Sequence, residues 1–503
     1  MAVLCVDAGT TMVKAVMFDD DGRELKVVRQ ATQVHRRAPG FSEQDMYSVW
    51  DAVVFTVRSV VHGVTEPVRM LSFTAQGDGC WLVGKDGRPT GPAILWNDGR
   101  ASDIVDRWDS DGVLDTAFHT NGNFGFAGTS GAIMKWLRDN DRQRLEDSHK
   151  ALYCNGWLFL KFTGEFAVDE SDAASPFLDI MTREYSPALL DLYGMPWVES
   201  LLPGVRPDSD RVGSLQELAA AELRLPVGLP VVMAPFDIPA TAIGIGAVST
   251  GQACTILGTT LSTGMAISTP ELYGTPSGMT LPSGVPGAYL RSLAAMSGVE
   301  TIAWGMGLMG LDNPNWLSDL AQTTEPGADG IMFHPYLSPA GERAPFRDSR
   351  ARGSISGLSF EHTKSHLARA MLEGLSYVVR DCLDASTEPA TEVRLTGGGA
   401  NSSFWCQLIA DVSGIRTSRS VDSEIGAKGA FLTALVATGV EPDIATAVDR
   451  YVFTRDVFEP DAANHAVYDD LFADFSAIRE SVAEQWPRLA ASRSRHSNLL
   501  PTG

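Results

Sequence analysis

The stretch AVLCVDAGTTMVKAVMFD, residues 2–19, decides the fold. AVLCV (2–6) is an unbroken apolar run of strand length. Asp7-Ala8-Gly9-Thr10-Thr11 turns the chain, and VKAVMFD (13–19) alternates as a second strand. DDDG (19–22) turns it again into RELKVVRQATQV (23–34). The first turn gathers a carboxylate, backbone N–H groups, two hydroxyls and, at Lys14, a cation. Those parts can hold a triphosphate and its Mg²⁺ without a P-loop. An ordinary Gly-Thr hairpin uses the same residues.

The pattern returns in QACTILGTTLSTGMAI (252–267), a strand, a Gly-Thr-Thr turn and a strand. One such hairpin opening each half implies a duplicated α/β architecture with a boundary near 240–250. The length of 503 residues agrees, being too great for one core. Helices are expected over 44–61, 100–108, 130–147, 237–247 and 363–384. Strands are expected over 68–76 and 392–402, and a hairpin over 81–96 through Lys85-Asp86-Gly87. SRSRHSNLLPTG (492–503) reads as a polar, disordered tail.

Bulk composition excludes several classes. Lys plus Arg is 40 against 62 Asp plus Glu, a formal charge of −22. Such a surface repels nucleic acid and anionic membranes. The six cysteines are scattered, with no CxxC and no Cys/His ligand spacing, so they read as small buried hydrophobes in a reducing, cytoplasmic compartment. The N-terminus has no basic region before its apolar run, so it does not read as a signal peptide.

Between Arg224 and Glu271 the only charged residue is Asp237, in APFDIPA (234–240). A lone carboxylate in apolar surroundings is expensive unless paired, hydrated or used. Leu257-Gly258-Thr259-Thr260 can clasp phosphate as the first hairpin does. Gly397-Gly398-Gly399-Ala400-Asn401-Ser402 follows a strand and precedes a helix. Three glycines there let a planar ring approach the backbone. Gln76-Gly77-Asp78-Gly79 and Trp96-Asn97-Asp98-Gly99-Arg100 end apolar strands, where ligands of open α/β sheets bind. Gln76, Gly77, Asp78, Asp98 and Arg100 are therefore candidates for a polyhydroxylated substrate. Turn-forming GDG and NDG are the plain alternative. Gly305, Gly307 and Gly310 match GxGxxG, but no βαβ unit surrounds them, and they read as packed or loop glycines.

Together these residues resemble the FGGY carbohydrate kinases over roughly residues 2–455. The most specific match is Gly353-Ser354-Ile355-Ser356-Gly357-Leu358 followed by His366 to Glu373. SGAIMKW (130–136), GERAPFRDSRARG (341–353) and LTGGGANSSFW (395–405) add to it. The resemblance implies two actin-like ATPase (ribonuclease H-like) domains with a catalytic cleft between them. Residues 1–245 would form the N-terminal domain, 246–490 the C-terminal domain and 491–503 the tail. It further implies Asp237 as catalytic base and Asp7 as the acid associated with Mg²⁺. Thr10, Thr11 and Lys14 would approach the ATP phosphates, Gly258 and Thr259 would form a second phosphate turn, and Gly398, Gly399 and Ala400 would line the adenosine site. A homodimer is a family-level expectation.

Departures point to a subgroup. Typical D-xylulose kinases read QMH where this chain reads Gln76-Gly77-Asp78, and GDN where it reads Phe236-Asp237-Ile238. The Arg-Glu pair of glycerol kinases is replaced by Gly77-Asp78. The AQGxG and FD patterns look more like L-xylulose and erythritol kinases. The implied reaction is transfer from ATP to a primary hydroxyl of a linear ketose or polyol, with D-xylulose or another pentulose as the alternative. A non-metabolic actin-like ATPase is the rival of a different class.

Overall fold

The computed structural model describes residues 2–258, 260–274 and 276–497. The chain divides into two compact units. The first comprises 1–250, 266–291 and 422–453, and the second 251–265, 292–421 and 454–503.

The first unit is built on a six-stranded sheet. Its strands are β1 (Ala2–Ala8), β2 (Met12–Phe18), β3 (Glu24–Ala31), β4 (Val68–Ala75), β5 (Val212–Ser214) and β6 (Pro230–Met233). Their order is β5-β6-β4-β1-β2-β3. β1 pairs antiparallel with β2 and parallel with β4, and β4 pairs parallel with β6. Every residue of β1 is buried, as a central strand covered on both faces requires.

A second sheet repeats this plan. Its strands include β7 (Gln252–Leu257), β8 (Leu261–Ile267), β9 (Tyr289–Ala295), β10 (Glu392–Thr396), β11 (Thr417–Ser420) and β12 (Thr454–Phe458), in the order β9-β8-β7-β10-β11-β12. β7 pairs antiparallel with β8 and parallel with β10, and β10 pairs parallel with β11. The central pairings β2-β1-β4-β6 and β8-β7-β10-β11 match strand for strand. This repeated plan is that of the actin-like ATPases.

Chain order and spatial order part company at residues 425–437. The helix Ile425–Ala437, late in the chain, belongs to the first unit. All eleven residues from Ile425 to Leu435 are buried. A helix apolar on nearly every side must be covered on nearly every side, and its one cation, Lys428, is met by Gly22 O and by Asp422 Oδ1 at 3.3 Å. The helix packs with β1, β4 and the helix Asp237–Ile245. Glycine permits the last contact: a Cβ on Gly244 would lie 1.9 Å from Ile425 O, and one on Gly429 would lie 1.8 Å from Ala240 O. The two backbones therefore touch directly, which fixes the helix that begins at Asp237.

The hairpin expected over 81–96 forms, with Val83 bridged to Pro89 and Cys80 to Ile94, and Trp81–Val83 pairs further with Lys150–Leu152. Two local expectations change. Gly305 and Gly307 lie inside the helix Val299–Met309, and Gly310 ends it. The tail expectation fails for 492–497, which continue a helix from Trp486 to Ser497; residues 498–503 lie outside the described residues. Trp486 anchors that helix, being 2% exposed and donating its indole N–H to Arg352 O at 3.1 Å. All six cysteines are buried and unbridged. Among the described residues no helix is long and apolar enough to cross a membrane.

Candidate active site

In the first unit the turn between β1 and β2 closes through Gly9 N–H to Met12 O at 3.0 Å. Asp7 ends β1, 7% exposed. Lys14 meets Asp7 Oδ2 at 3.1 Å and Glu424 Oε2 at 3.2 Å. Burial works against the Lys14 charge, but these two carboxylates outweigh it and push its pKa up. The ammonium is held charged.

Thr10 takes a different part from the one its sequence suggests. Its hydroxyl donates to Gln76 Oε1 at 2.7 Å and accepts the Trp96 indole N–H at 2.9 Å. Gln76 Nε2 donates to Gln44 Oε1 at 2.9 Å, and Gln44 Nε2 donates to Thr10 O at 2.6 Å. A hydroxyl has one proton to give, and that of Thr10 is taken. Thr10 braces the turn against the end of β4. Gln76 is likewise engaged through both ends of its amide, at 1% exposure. Thr11 is exposed at the tip.

Beyond Gln76 the chain enters the left-handed region at Asp78 (φ 52°) and Gly79 (φ 77°). Asp78 is half-buried and Gly77 buried. The ring of Phe236, 3% exposed, lies against Gly77. Asp237 opens the helix Asp237–Ile245 and is partly exposed. Burial, then the charge of Asp7, and further Asp78, push its pKa up to about 7, against the pull of the Ile238 N–H and Lys14. Asp7, Asp78 and Asp237 thus form one electrostatic neighbourhood.

From sequence, Asp98 and Arg100 are expected at the substrate; in the structure they pair with each other and with Glu43. Arg100 donates to Asp98 Oδ1 at 2.8 Å, Asp98 Oδ2 at 2.9 Å and Glu43 Oε1 at 2.7 Å. Asp98 Oδ2 also accepts from Ser42 N–H at 2.6 Å. The guanidinium lies over the rings of Phe41 (4.1 Å) and Trp136 (5.1 Å). The Asp98 side chain is 0% exposed. Both charges are neutralised inside the protein.

In the second unit the β7–β8 turn contains Gly258, where a Cβ would meet only Thr260 O (3.5 Å) and Ile256 Cγ2 (3.6 Å). Thr259 lies outside the described residues. The triple glycine divides its work. A Cβ on Gly397 would lie 2.7 Å from Leu257 O, and one on Gly399 would lie 2.4 Å from the Trp405 ring. Over Gly398 nothing among the described residues lies within 4 Å. Gly398–Asn401 forms a 3₁₀ turn in which Ala400 is buried. Beside it opens a polar pocket of about 450 Å³, lined by Ser318, Gln322, Asn401, Ser402, Phe404 and Phe458 among others.

Sequence reasoning misses several residues. Gln44 and Glu424 carry no motif. Asp172 is 3% exposed, and neither carboxyl oxygen has a hydrogen-bond partner among the described residues. Burial, with the charges of Asp169, Asp78 and Asp237, raises its pKa well above the carboxylate range. Only its place in ESDAASP (170–176), a polar patch among apolar residues, could have singled it out.

Two family models cover most of the chain. The N-terminal domain of the FGGY family of carbohydrate kinases matches residues 2–244, and the C-terminal domain of that family matches 255–438. The erythritol kinase of Brucella abortus (strain 2308) is 30% identical over 98% of each chain. The L-xylulose/3-keto-L-gulonate kinase of Escherichia coli (strain K12) is 28% identical over 94% of this chain and 96% of its own. A ligand-bound xylulose kinase structure from Lactobacillus acidophilus superposes with a TM-score of 0.91 over 97% of this chain and 99% of its own, at 22% identity.

Proposed function

Because the chain belongs to the FGGY family of carbohydrate kinases, we propose that it transfers the γ-phosphate of ATP to a primary hydroxyl of a linear ketose or polyol, erythritol-like or L-xylulose-like compounds being favoured. The observation that carries this reading is Asp237: a partly exposed carboxylate, at the start of a helix locked to its neighbour, whose pKa is pushed up to about 7. A general base works best with a pKa near the operating pH.

Asp237 takes the proton of the attacking hydroxyl as that oxygen approaches phosphorus. Asp78, half-buried and presented by a left-handed backbone, accepts hydrogen bonds from substrate hydroxyls. Gln76 holds the strand end that presents Asp78. Thr11 and Lys14 meet the phosphates, as do Gly258 and Thr259 of the second turn. Gly398, Gly399 and Ala400 line the adenosine site, whose base the neighbouring polar pocket suits. Phosphoryl transfer needs mainly positioning and charge neutralisation. Mg²⁺ accompanying ATP supplies part of that neutralisation and takes hard oxygen ligands. Asp7 offers such a ligand in a neighbourhood where carboxylates outnumber the one lysine.

The substrate preference rests on Gly77 and Phe236 together. Both depart from the D-xylulose pattern, and the relatives carry erythritol, L-xylulose and xylulose names. A coupled ADP-release screen over tetritols, pentitols, pentuloses, hexuloses and glycerol tests the reading. ADP release should rise most with a tetritol or L-pentulose. Preference for D-xylulose overturns the substrate choice, and an ATPase rate that no compound raises favours a non-metabolic ATPase. Asp237→Asn should abolish transfer while ATP still binds; near wild-type turnover would sink the base assignment.

A further inference from the structure

β6 ends at Met233, and each of the four residues before Asp237 has a backbone group held by a buried side chain. Arg211 Nη1 donates to Met233 O at 3.0 Å, and Asn155 Nδ2 donates to Ala234 O at 2.8 Å. Thr74 Oγ1 donates to Pro235 O at 2.7 Å, and Phe236 N–H donates to Ser171 Oγ at 3.1 Å. Arg211 and Ser171 are 2% exposed, Asn155 and Thr74 0%. The four side chains come from separate segments of the first unit, so the clamp is not a local turn.

The last two bonds act on one peptide group. Pro235 C=O and Phe236 N–H belong to the same plane. Thr74 holds one edge and Ser171 the other, so the plane cannot rotate about the chain. Phe236 is the N-cap residue and makes no side-chain cap; the direction of the Asp237 side chain follows from that plane. Ser171 is itself fixed. Its hydroxyl donates to Asp169 Oδ2, which also accepts Ser171 N–H at 2.9 Å. Asp169 is 0% exposed, with Arg211 at 3.8 Å. With its proton given to Asp169, the Ser171 oxygen can only accept from Phe236.

We infer that Ser171, oriented by Asp169 and opposed by Thr74 across the 235–236 peptide, is a positioning residue that sets where the Asp237 carboxylate stands relative to the attacking hydroxyl. A small displacement of a base lowers turnover more than it lowers binding. The inference rests on the reading of Asp237 as the base.

The test measures kcat, KM for the best acceptor of the screen, and ATP binding by calorimetry for Ser171→Ala, Ser171→Thr, Thr74→Val and Asp237→Asn. Ser171→Ala should lower kcat at least 10-fold with KM and ATP affinity within about 3-fold of wild type. Ser171→Thr, which keeps the hydroxyl, should recover at least half of kcat. Ser171→Ala combined with Thr74→Val should fall little below the worse single variant, because both act on one plane. A kcat within 2-fold of wild type in Ser171→Ala, or no recovery in Ser171→Thr, overturns the inference. If Ser171→Ala does not fold, the kcat loss in Thr74→Val and the recovery in Ser171→Thr decide by the same thresholds. Asp237→Asn separates the two readings. Activity there defeats the base assignment, whereas an inactive Asp237→Asn with an unaffected Ser171→Ala defeats only the positioning role.

Discussion

The ring of Phe236 occupies the space that a side chain on residue 77 would need. A Cβ built on Gly77 would lie 2.4 Å from Phe236 Cδ2 and 2.7 Å from Cε2. Residue 77 must therefore be glycine while residue 236 is phenylalanine. The QMH and GDN patterns of D-xylulose kinases place the bulk on the other partner. The two departures are one exchange of volume across a single contact.

Gly77→Met alone should overpack this contact and lower kcat/KM for the natural acceptor at least 100-fold. Phe236→Gly alone removes a nearly fully buried ring, and a Phe truncation of that kind costs about 3–5 kcal/mol of stability. The double variant should recover a large part of both losses, since contacting sites couple by about 0.5–3 kcal/mol. Its kcat/KM ratio of D-xylulose to erythritol should rise above that of the parent. Chemical denaturation and the acceptor screen check both points. Additive losses in the double variant would show that the contact carries no specificity.

The proton affinity of Asp237 predicts a pH profile. Its carboxylate must be ionised to act as base, so kcat/KM should rise with pH through an acid limb near 7. Asp78→Asn removes a like charge and should move that limb to lower pH. Stability runs the other way. The folded protein holds this proton more tightly than the unfolded chain, so the contribution of Asp237 to stability falls as pH rises from about 4 through 7. Asp237→Asn should therefore melt higher than wild type at pH 8, with the gain shrinking towards pH 4.

Legibility in the sequence followed the range of the interactions. Both hairpin turns and the repeated strand plan are local patterns, and period and turn chemistry reveal them. Asp237 stood out because its neighbours in sequence carry no charge. The Gly77–Phe236 contact joins residues far apart in the chain, and nothing in either segment announces the other. Asp98 and Arg100 sit in an NDGR turn that looks solvent-facing, whereas Glu43, Phe41 and Trp136 close over it from elsewhere. The Ile425–Ala437 helix comes late in the chain, and chain order gave no hint that it would pack on the helix of Asp237. Its apolar circumference was the one available signal.

The triple glycine separates packing from ligand approach. Gly399→Ala should drive a methyl into Trp405 and Leu257, at 2.4 and 2.8 Å. Overpacking of that kind costs about 1–3 kcal/mol, and thermal melting of the ligand-free protein should show it. Gly398→Ala meets nothing among the described residues within 4 Å. It should leave the ligand-free melting temperature nearly unchanged and raise KM for ATP about 10-fold. Equal effects of the two substitutions on stability would contradict the division.

Arg100 distinguishes a substrate ligand from a structural brace. A ligand role predicts that Arg100→Lys raises KM for the acceptor with little change in stability. The geometry predicts the reverse. Arg100 neutralises Asp98 and Glu43, 2% and 6% exposed, and lies against two aromatic rings. Lysine keeps the charge but cannot reproduce the planar fork or the stacking. Arg100→Lys should therefore lower the denaturation midpoint while KM of the folded fraction stays within about 3-fold of wild type. Arg100→Met takes from Asp98 its paired cation and leaves Glu43 to Arg37 at 3.6 Å; breaking a buried pair in this way costs about 3–5 kcal/mol. That is a large share of the about 5–15 kcal/mol that holds a typical domain together. Combining Arg100→Met with Asp98→Asn removes the stranded charge and should return part of the loss. A KM rise above 10-fold in a fully stable Arg100→Lys protein would restore Arg100 to the substrate.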